Sequence, residues 1–246
     1  MNGSAGDVRE ESVWEARRRE GSELNKAVVI LSGGLDSTTC MGIARKEGYA
    51  LYPLTFHYGQ RHDREVIQAQ KVAQYYRVKE HKIVDLRFLQ EIGGSALTDA
   101  SIDVPVSGEA EGIPVTYVPG RNLIFLSLAT AYAEVIGAGV IYIGVSAVDF
   151  SGYPDCRPEF IASMSETINL ATKAGSAELG IRIEAPLMHK TKAETIQTGM
   201  SLGVPYHLTT SCYRGEDLAC GRCDSCRLRL KGFQEAGYDD PIPYAR

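Results

Sequence analysis

The chain has 246 residues, of which 44% are hydrophobic and 23% charged, and a formal net charge of -5. That length suits one large α/β domain, or one domain with a small appendage. The negative charge argues against direct binding of nucleic acid, which needs a basic surface, and no apolar stretch reaches the roughly 18 residues of a membrane span. Residues 1–25 are acidic and polar, without the apolar core of a secretion signal. They are expected to form a weakly ordered extension of a cytoplasmic protein.

From residue 26 a run rich in β-branched side chains (Val28, Val29, Ile30, then Leu31) stops abruptly at Ser32-Gly33-Gly34-Leu35-Asp36-Ser37. Thr38 and Thr39 follow, then a helical pattern through Met41, Ile43 and Ala44. The pattern predicts a buried strand feeding a glycine turn that opens a helix. Consecutive glycines let backbone N–H groups converge on one point, and the helix N-terminus adds positive partial charge there. With the hydroxyls of Ser32, Ser37, Thr38 and Thr39, the turn reads as a phosphate site. No lysine follows Gly34, which separates it from the Gly-x4-Gly-Lys phosphate loop. Asp36 inside the loop points to a bound metal or to a helix cap. SGGLDS resembles the signature of the ATP pyrophosphatase (PP-loop) superfamily, whose members bind ATP and release pyrophosphate while adenylating an oxygen.

Residues 50–58 read as a second strand, its regular part placed at 54–56 by Pro53, and 63–76 as a helix. A third strand is expected over 81–86, followed by an irregular stretch over 93–120 of the length that in compact domains is usually functional. Beyond it the predicted elements are an apolar helix 121–137, a buried strand 139–145, a helix 158–174, a short strand 181–184 and a helix 192–202. This alternation predicts an α/β fold, a doubly wound and mainly parallel sheet with helices on both faces. Ligands of such sheets sit beyond the carboxyl ends of the strands. The loops starting at Ser32, Phe56, Ser146 and Ala185 should therefore be neighbours. The organisation expected is an α/β domain over 26–205 and a C-terminal metal-binding segment over 206–246.

Two of these loops and the start of the helix at 121 carry further candidates. Arg121 opens a helix, where a positive charge opposes the helix dipole, and so suggests an anion partner. Residues 149–160 combine Asp149, Tyr153, Asp155, Arg157 and Glu159 with Phe150 and Phe160. Such a mixture suits a flat heterocycle held between aromatic rings, with a carboxylate on its N–H edge. In His189-Lys190-Thr191-Lys192 a lysine is placed to stabilise charge on a transferring phosphoryl group, and Lys190 is the candidate put forward. Cys156 is read as a packed, inert thiol.

Cys212-x7-Cys220-x2-Cys223-x2-Cys226 is a metal-ligand spacing. Four thiolates suit tetrahedral zinc and leave no open coordination position, so one structural zinc is expected, with an iron–sulfur cluster as its rival. It would anchor a tail over 228–233, with Arg227, Arg229 and Lys231 facing water or an acidic partner.

Taken together, SGGLDSTTC, YGQRH, VPGRN, GYPDCRPEF and SCYRGEDLACGRCDSCRLR closely resemble the 7-cyano-7-deazaguanine synthase family, ExsB-like PP-loop enzymes of the queuosine pathway. The resemblance implies conversion of 7-carboxy-7-deazaguanine and ammonia to the nitrile. ATP with Mg2+ would adenylate first the carboxylate and then the amide oxygen. It places nucleotide binding on Leu31, Ser32, Gly33, Gly34, Leu35, Asp36, Ser37, Thr38, Thr39, Cys40 and Met41, and zinc on Cys212, Cys220, Cys223 and Cys226. Asp36, Ser37, Arg121 and Lys190 are the expected catalytic residues, Asp149, Tyr153, Asp155, Arg157 and Glu159 the expected substrate contacts, and a homodimer the expected assembly. The competing readings are another PP-loop adenylating enzyme, of tRNA thiolase or amidase type, and a zinc-bearing nucleotide sensor without turnover.

Overall fold

The computed structural model describes residues 25–60, 63–99, 101–104, 112–146, 152–176, 180–214 and 218–245. The expected extension, apart from Asn25, and Asp149 of the expected substrate loop lie outside the described residues. Five strands form one parallel sheet: β1 (Lys26–Ile30), β2 (Ala50–His57), β3 (Lys82–Asp85), β4 (Val140–Tyr142) and β5 (Arg182–Glu184), in the order β3-β2-β1-β4-β5. The helices are α1 (Leu35–Lys46), α2 (Arg64–Tyr75), α3 (Phe88–Ile92), α4 (Arg121–Ile136), α5 (Pro158–Ala171), α6 (Lys173–Ser176), α7 (Lys192–Ser201) and α8 (Asp224–Ala236).

Both faces of the sheet are covered, and the period of two in β1 decides which residue meets which helices. Val28 and Ile30 pack with Phe125, Leu126 and Ala129 of α4 and with Ile161 and Met164 of α5. Ala27, Val29 and Leu31 pack on the other side with Cys40 and Met41 of α1 and Ala69 and Val72 of α2. Each fully buried Leu or Ile in these layers stabilises the fold by roughly 1.5–3 kcal/mol.

The elements agree with the sequence expectation at their centres and differ at informative places. Strand β2 runs straight through Pro53, which pairs with Val29 of β1. The Leu54 carbonyl accepts from the Leu31 amide, so by strand alternation the Pro53 nitrogen points the other way, toward β3. The β3 ladder begins only at Leu54, and no hydrogen bond is lost there. Helix α5 stops three residues before the predicted end because Thr172 is extended and its Oγ1 accepts the Gly175 amide at 3.1 Å, capping α6.

The largest departure is α8. Its inward face is Cys226, Arg229, Gly232 and Phe233, whereas its leucines, Leu228 and Leu230, are partly exposed. An apolar-period reading fails on a helix whose core side carries an arginine and a glycine. Of the two expectations for Arg229, water or an acidic partner, the second holds, for the residue is 1% exposed. Its guanidinium is paired in fork geometry with Asp240, Nε to Oδ2 at 2.7 Å and Nη2 to Oδ1 at 2.9 Å. Nη1 also donates to Thr209 Oγ1 at 2.7 Å and Nη2 to the Tyr206 carbonyl at 3.3 Å, and Tyr244 donates to Asp240 at 2.6 Å. The acidic partner is intramolecular.

The C-terminal segment packs against the sheet domain. Tyr206 and Phe233 share a cluster with Leu35 of α1 and Ile196 of α7, and the chain end returns so that Ala219 bridges Tyr244. Arg229→Met is expected to strand Asp240 as a buried charge and to cost about 3–5 kcal/mol of stability, measured as a lower urea midpoint with an unchanged slope.

Candidate active site

The turn between β1 and α1 lies at the switch point of the sheet, where β1 is flanked by β2 on one side and β4 on the other. Gly33 has φ +81°, and a Cβ there would fall 2.4 Å from the Glu65 carbonyl oxygen and 2.7 Å from the Ala69 amide nitrogen of α2. Only glycine allows that approach. After the end of β4, a Cβ on Gly144 would fall 2.9 Å from the Ser37 amide nitrogen. The Gly33 carbonyl accepts the Thr210 amide at 3.0 Å.

Gly34 is the N-cap of α1 and no side chain caps the first turn. Ser37 Oγ lies 3.0 Å from Ser32 Oγ and donates to the Gly34 carbonyl at 3.2 Å. The first-turn amides and these hydroxyls are thus gathered at the positive end of a helix, the arrangement that binds anions.

A cavity of about 210 Å³ opens beside the turn. Leu31, Ser32, Gly34, Asp36 and Ser37 line one side of it. Thr38, Thr39, Cys40 and Met41 are buried and are not among the residues lining it. Thr39 bonds the Leu35 carbonyl and the Tyr206 hydroxyl, and burial pushes the Cys40 thiol up. The other walls come from Phe56 and Tyr58 at the end of β2, Glu65 of α2, Arg121, Asn122 and Phe125 of α4, Gly144 and Val145 after β4, and Tyr153 and Cys156.

Asp36 is gripped by Lys192, whose Nζ lies 2.9 Å from Oδ1 and 2.7 Å from Oδ2. Lys192 is the first residue of α7, fixed there by a capping box. Glu194 N donates to Thr191 Oγ1 at 3.2 Å, and Thr191 N donates to Glu194 Oε2 at 2.8 Å. The lysine that reaches the loop is therefore Lys192, through Asp36; neither it nor Lys190, both half-buried, is among the residues lining the cavity.

Arg121 stands half-buried behind Gly120, its guanidinium 5.5 Å above the Tyr58 ring and Nη1 3.4 Å from the Tyr58 hydroxyl. Burial and the Glu65 carboxylate push Tyr58 up to about 12 against the pull of Arg121, so this hydroxyl stays a neutral donor at physiological pH. Phe56 and Phe125 stack at 4.0 Å.

The described part of the 149–160 segment, from 152 on, contributes less than its composition suggests. Tyr153 lines the cavity, bonded to Thr116 Oγ1 at 2.8 Å. Asp155 is buried and accepts the Asn122 amide at 2.9 Å, while Asn122 Nδ2 donates to the Asp155 carbonyl at 3.2 Å. It anchors the start of α4, and hence Arg121. Arg157 and Glu159 are exposed. Cys156 is buried as expected, its sulfur 3.2 Å from Asn122 Nδ2.

Phe56, Tyr58, Glu65, Asn122 and Phe125 escaped the sequence reading. A signal existed for three of them: Phe56 and Tyr58 share one face of a strand at its carboxyl end, and Phe125 lies one helical turn beyond Arg121.

The sulfurs of Cys212, Cys220, Cys223 and Cys226, all buried, lie within 4.8 Å of one another. Four 2.3 Å bonds to a tetrahedral ion would space them ~3.8 Å apart. Backbone amides of Cys223 and Arg222 donate to Cys220 Sγ at 3.3 and 3.4 Å, and that of Cys220 to Cys212 Sγ at 3.4 Å. Hydrogen bonds from Cys223 and Cys226 draw the Cys212 thiol below its usual range. The four residues fit a metal ion. No helix among the described residues is long and apolar enough to cross a membrane.

A sequence model described as "Queuosine biosynthesis protein QueC" matches residues 26–237. The chain belongs to that family. Among its relatives, a 7-cyano-7-deazaguanine synthase of Oceanobacillus iheyensis is 64% identical over 219 residues, covering 89% of this chain and 98% of that protein. One of Coxiella burnetii is 55% identical over 223 residues, covering 90% and 98%. Among solved structures, an NMN synthetase from Francisella tularensis superposes with a TM-score of 0.50 at 14% identity, covering 92% of this chain and 83% of that one; this is a likeness of fold. The QueC match takes in the glycine turn, Lys192 and all four cysteines but excludes residues 1–25.

Lys192→Ala is expected to lower kcat/KM for the nucleotide by about a hundredfold, the scale of a lost charge contact in a preorganised site. Lys190→Ala should change it less than about threefold. Steady-state kinetics on the two variants side by side checks the assignment.

Proposed function

We propose that the chain is an ATP-dependent carbon–nitrogen ligase that converts 7-carboxy-7-deazaguanine and ammonia to 7-cyano-7-deazaguanine in queuosine biosynthesis. The observation that carries this reading is the cavity shared by an uncapped helix N-terminus, Asp36 and Arg121, with Lys192 paired to Asp36. The relatives named 7-cyano-7-deazaguanine synthase, matched over nearly their whole length, support the same reading.

A carboxylate is a poor electrophile and ammonia will not displace hydroxide from it. Attack of the carboxylate on the α-phosphorus of ATP releases pyrophosphate and installs AMP as leaving group. Ammonia then displaces AMP to give the amide. Adenylation of the amide oxygen by a second ATP releases pyrophosphate again, and loss of AMP and a proton leaves the nitrile. In this reading the first-turn amides of α1, Ser32 and Ser37 donate to the phosphates. Lys192 takes the charge-stabilising part that the sequence allotted to Lys190, and Arg121 faces the reacting carboxylate or phosphate. Asp36 would take the magnesium ion that accompanies ATP, which supplies positive charge to the departing pyrophosphate. Phe56, Phe125 and Tyr153 form the apolar wall for a flat heterocycle, with Asp149 as the candidate for its N–H edge. Asp155 acts one step back, by holding α4.

The division proposed is an ATP-binding domain over 26–205 and a zinc-bearing segment over 206–246, in a cytoplasmic homodimer that binds neither membrane nor nucleic acid. Zinc suits the four thiolates of Cys212, Cys220, Cys223 and Cys226 and would be structural, as no position is left for a reactant.

Mass spectrometry of a reaction containing 7-carboxy-7-deazaguanine, ammonium, ATP and Mg2+ is expected to show the nitrile with AMP and pyrophosphate. AMP formed only with another carboxylate, or with tRNA, would refute the substrate. Elemental analysis is expected to find about one zinc per chain in the parent and a marked loss in Cys223→Ser; iron in its place would overturn the metal assignment.

A further inference from the structure

The inward face of α8 touches the glycine turn through two separate routes. Along the first, Arg229 donates to Thr209 Oγ1 at 2.7 Å and to the Tyr206 carbonyl at 3.3 Å, and the next residue, Thr210, donates its amide to the Gly33 carbonyl at 3.0 Å. Along the second, Gly232 lies directly under the stem of Lys192: a Cβ on Gly232 would fall 2.5 Å from Lys192 Cγ, 3.0 Å from its Cβ and 3.0 Å from Ile196 Cδ1. Lys192 in turn grips Asp36. Arg229 and Gly232 are three residues apart and so face the same way, one turn beyond Cys226.

We propose that α8 is a brace for the nucleotide loop, and that Arg229 and Gly232 are positioning residues that set Gly33 and Asp36 at the two ends of that loop. The idea rests on the ATP-binding reading of the turn. It gives a reason for the two residues that made α8 illegible as an amphipathic helix. Arginine is the side chain long and forked enough to hold Asp240, Thr209 and the Tyr206 carbonyl together. Glycine is what lets α7 come close enough for Lys192 to reach Asp36.

The decisive variant is Gly232→Ala. Alanine favours the helix over glycine, but its methyl group must push the proximal part of Lys192, which has little freedom to yield. ATP affinity measured by calorimetry is expected to fall about tenfold in Gly232→Ala and to change much less when Gly232→Ala is added to Lys192→Ala, the non-additivity of residues acting through one contact. Thr209→Val, isosteric and remote from Lys192, tests the other route and is expected to raise the KM for ATP several-fold, with kcat less affected. If Gly232→Ala fails to fold, Thr209→Val alone decides. Folded variants that bind ATP as the parent does would overturn the brace while leaving the ATP reading intact. A parent protein that binds no ATP would remove both.

Discussion

Everything in this molecule hangs on how closely the backbone is allowed to approach itself at one turn. Gly33 lies against the Glu65 carbonyl and the Ala69 amide of α2, Gly144 against the Ser37 amide of α1. A side chain at either point would push the turn off the strands that carry it. That pair of contacts fixes the turn and the start of α1 relative to α2 and to the segment after β4, and so gathers a helix N-terminus, two serine hydroxyls and Asp36 into one wall. Phosphate binding by such a wall needs no induced arrangement, since the amides are preorganised by packing.

Charge is then brought to the wall from elements remote in sequence. Lys192 comes from the start of α7, held by the Thr191–Glu194 capping box. Arg121 comes from the start of α4, which the buried Asp155 pins through the Asn122 amide. Both cations open helices, a place the helix dipole disfavours. The local cost is offset in each case by a specific neighbour: the Asp36 carboxylate for Lys192, and the ring and hydroxyl of Tyr58 for Arg121.

The C-terminal segment is an integral support. The four cysteines close a loop at the start of α8, and the buried Arg229–Asp240 pair ties that helix to residues 206–211 and to the returning chain end. A buried ion pair of this kind is weak evidence for net stability but strong evidence for geometry, because few other arrangements satisfy all its donors. It holds the stretch that donates the Thr210 amide to the glycine turn.

The sheet, its two covered faces, the glycine turn and the cysteine cluster were legible in the chain alone. These depend on local signals: the period of two in Val28 to Leu31, the consecutive glycines, the spacing of Cys220, Cys223 and Cys226. The sequence also singled out the 189–192 stretch, whose Lys192 pairs with Asp36. Tertiary structure decided which lysine reaches Asp36, because capping geometry and the approach of α8 place Lys192 and not Lys190. It turned Asp155 from the cavity to the support of α4, brought Phe56, Tyr58 and Phe125 into the wall, and buried Arg229. All of these are choices between chemically similar side chains a few residues apart. They are settled by contacts between segments distant in the chain, which no local pattern encodes.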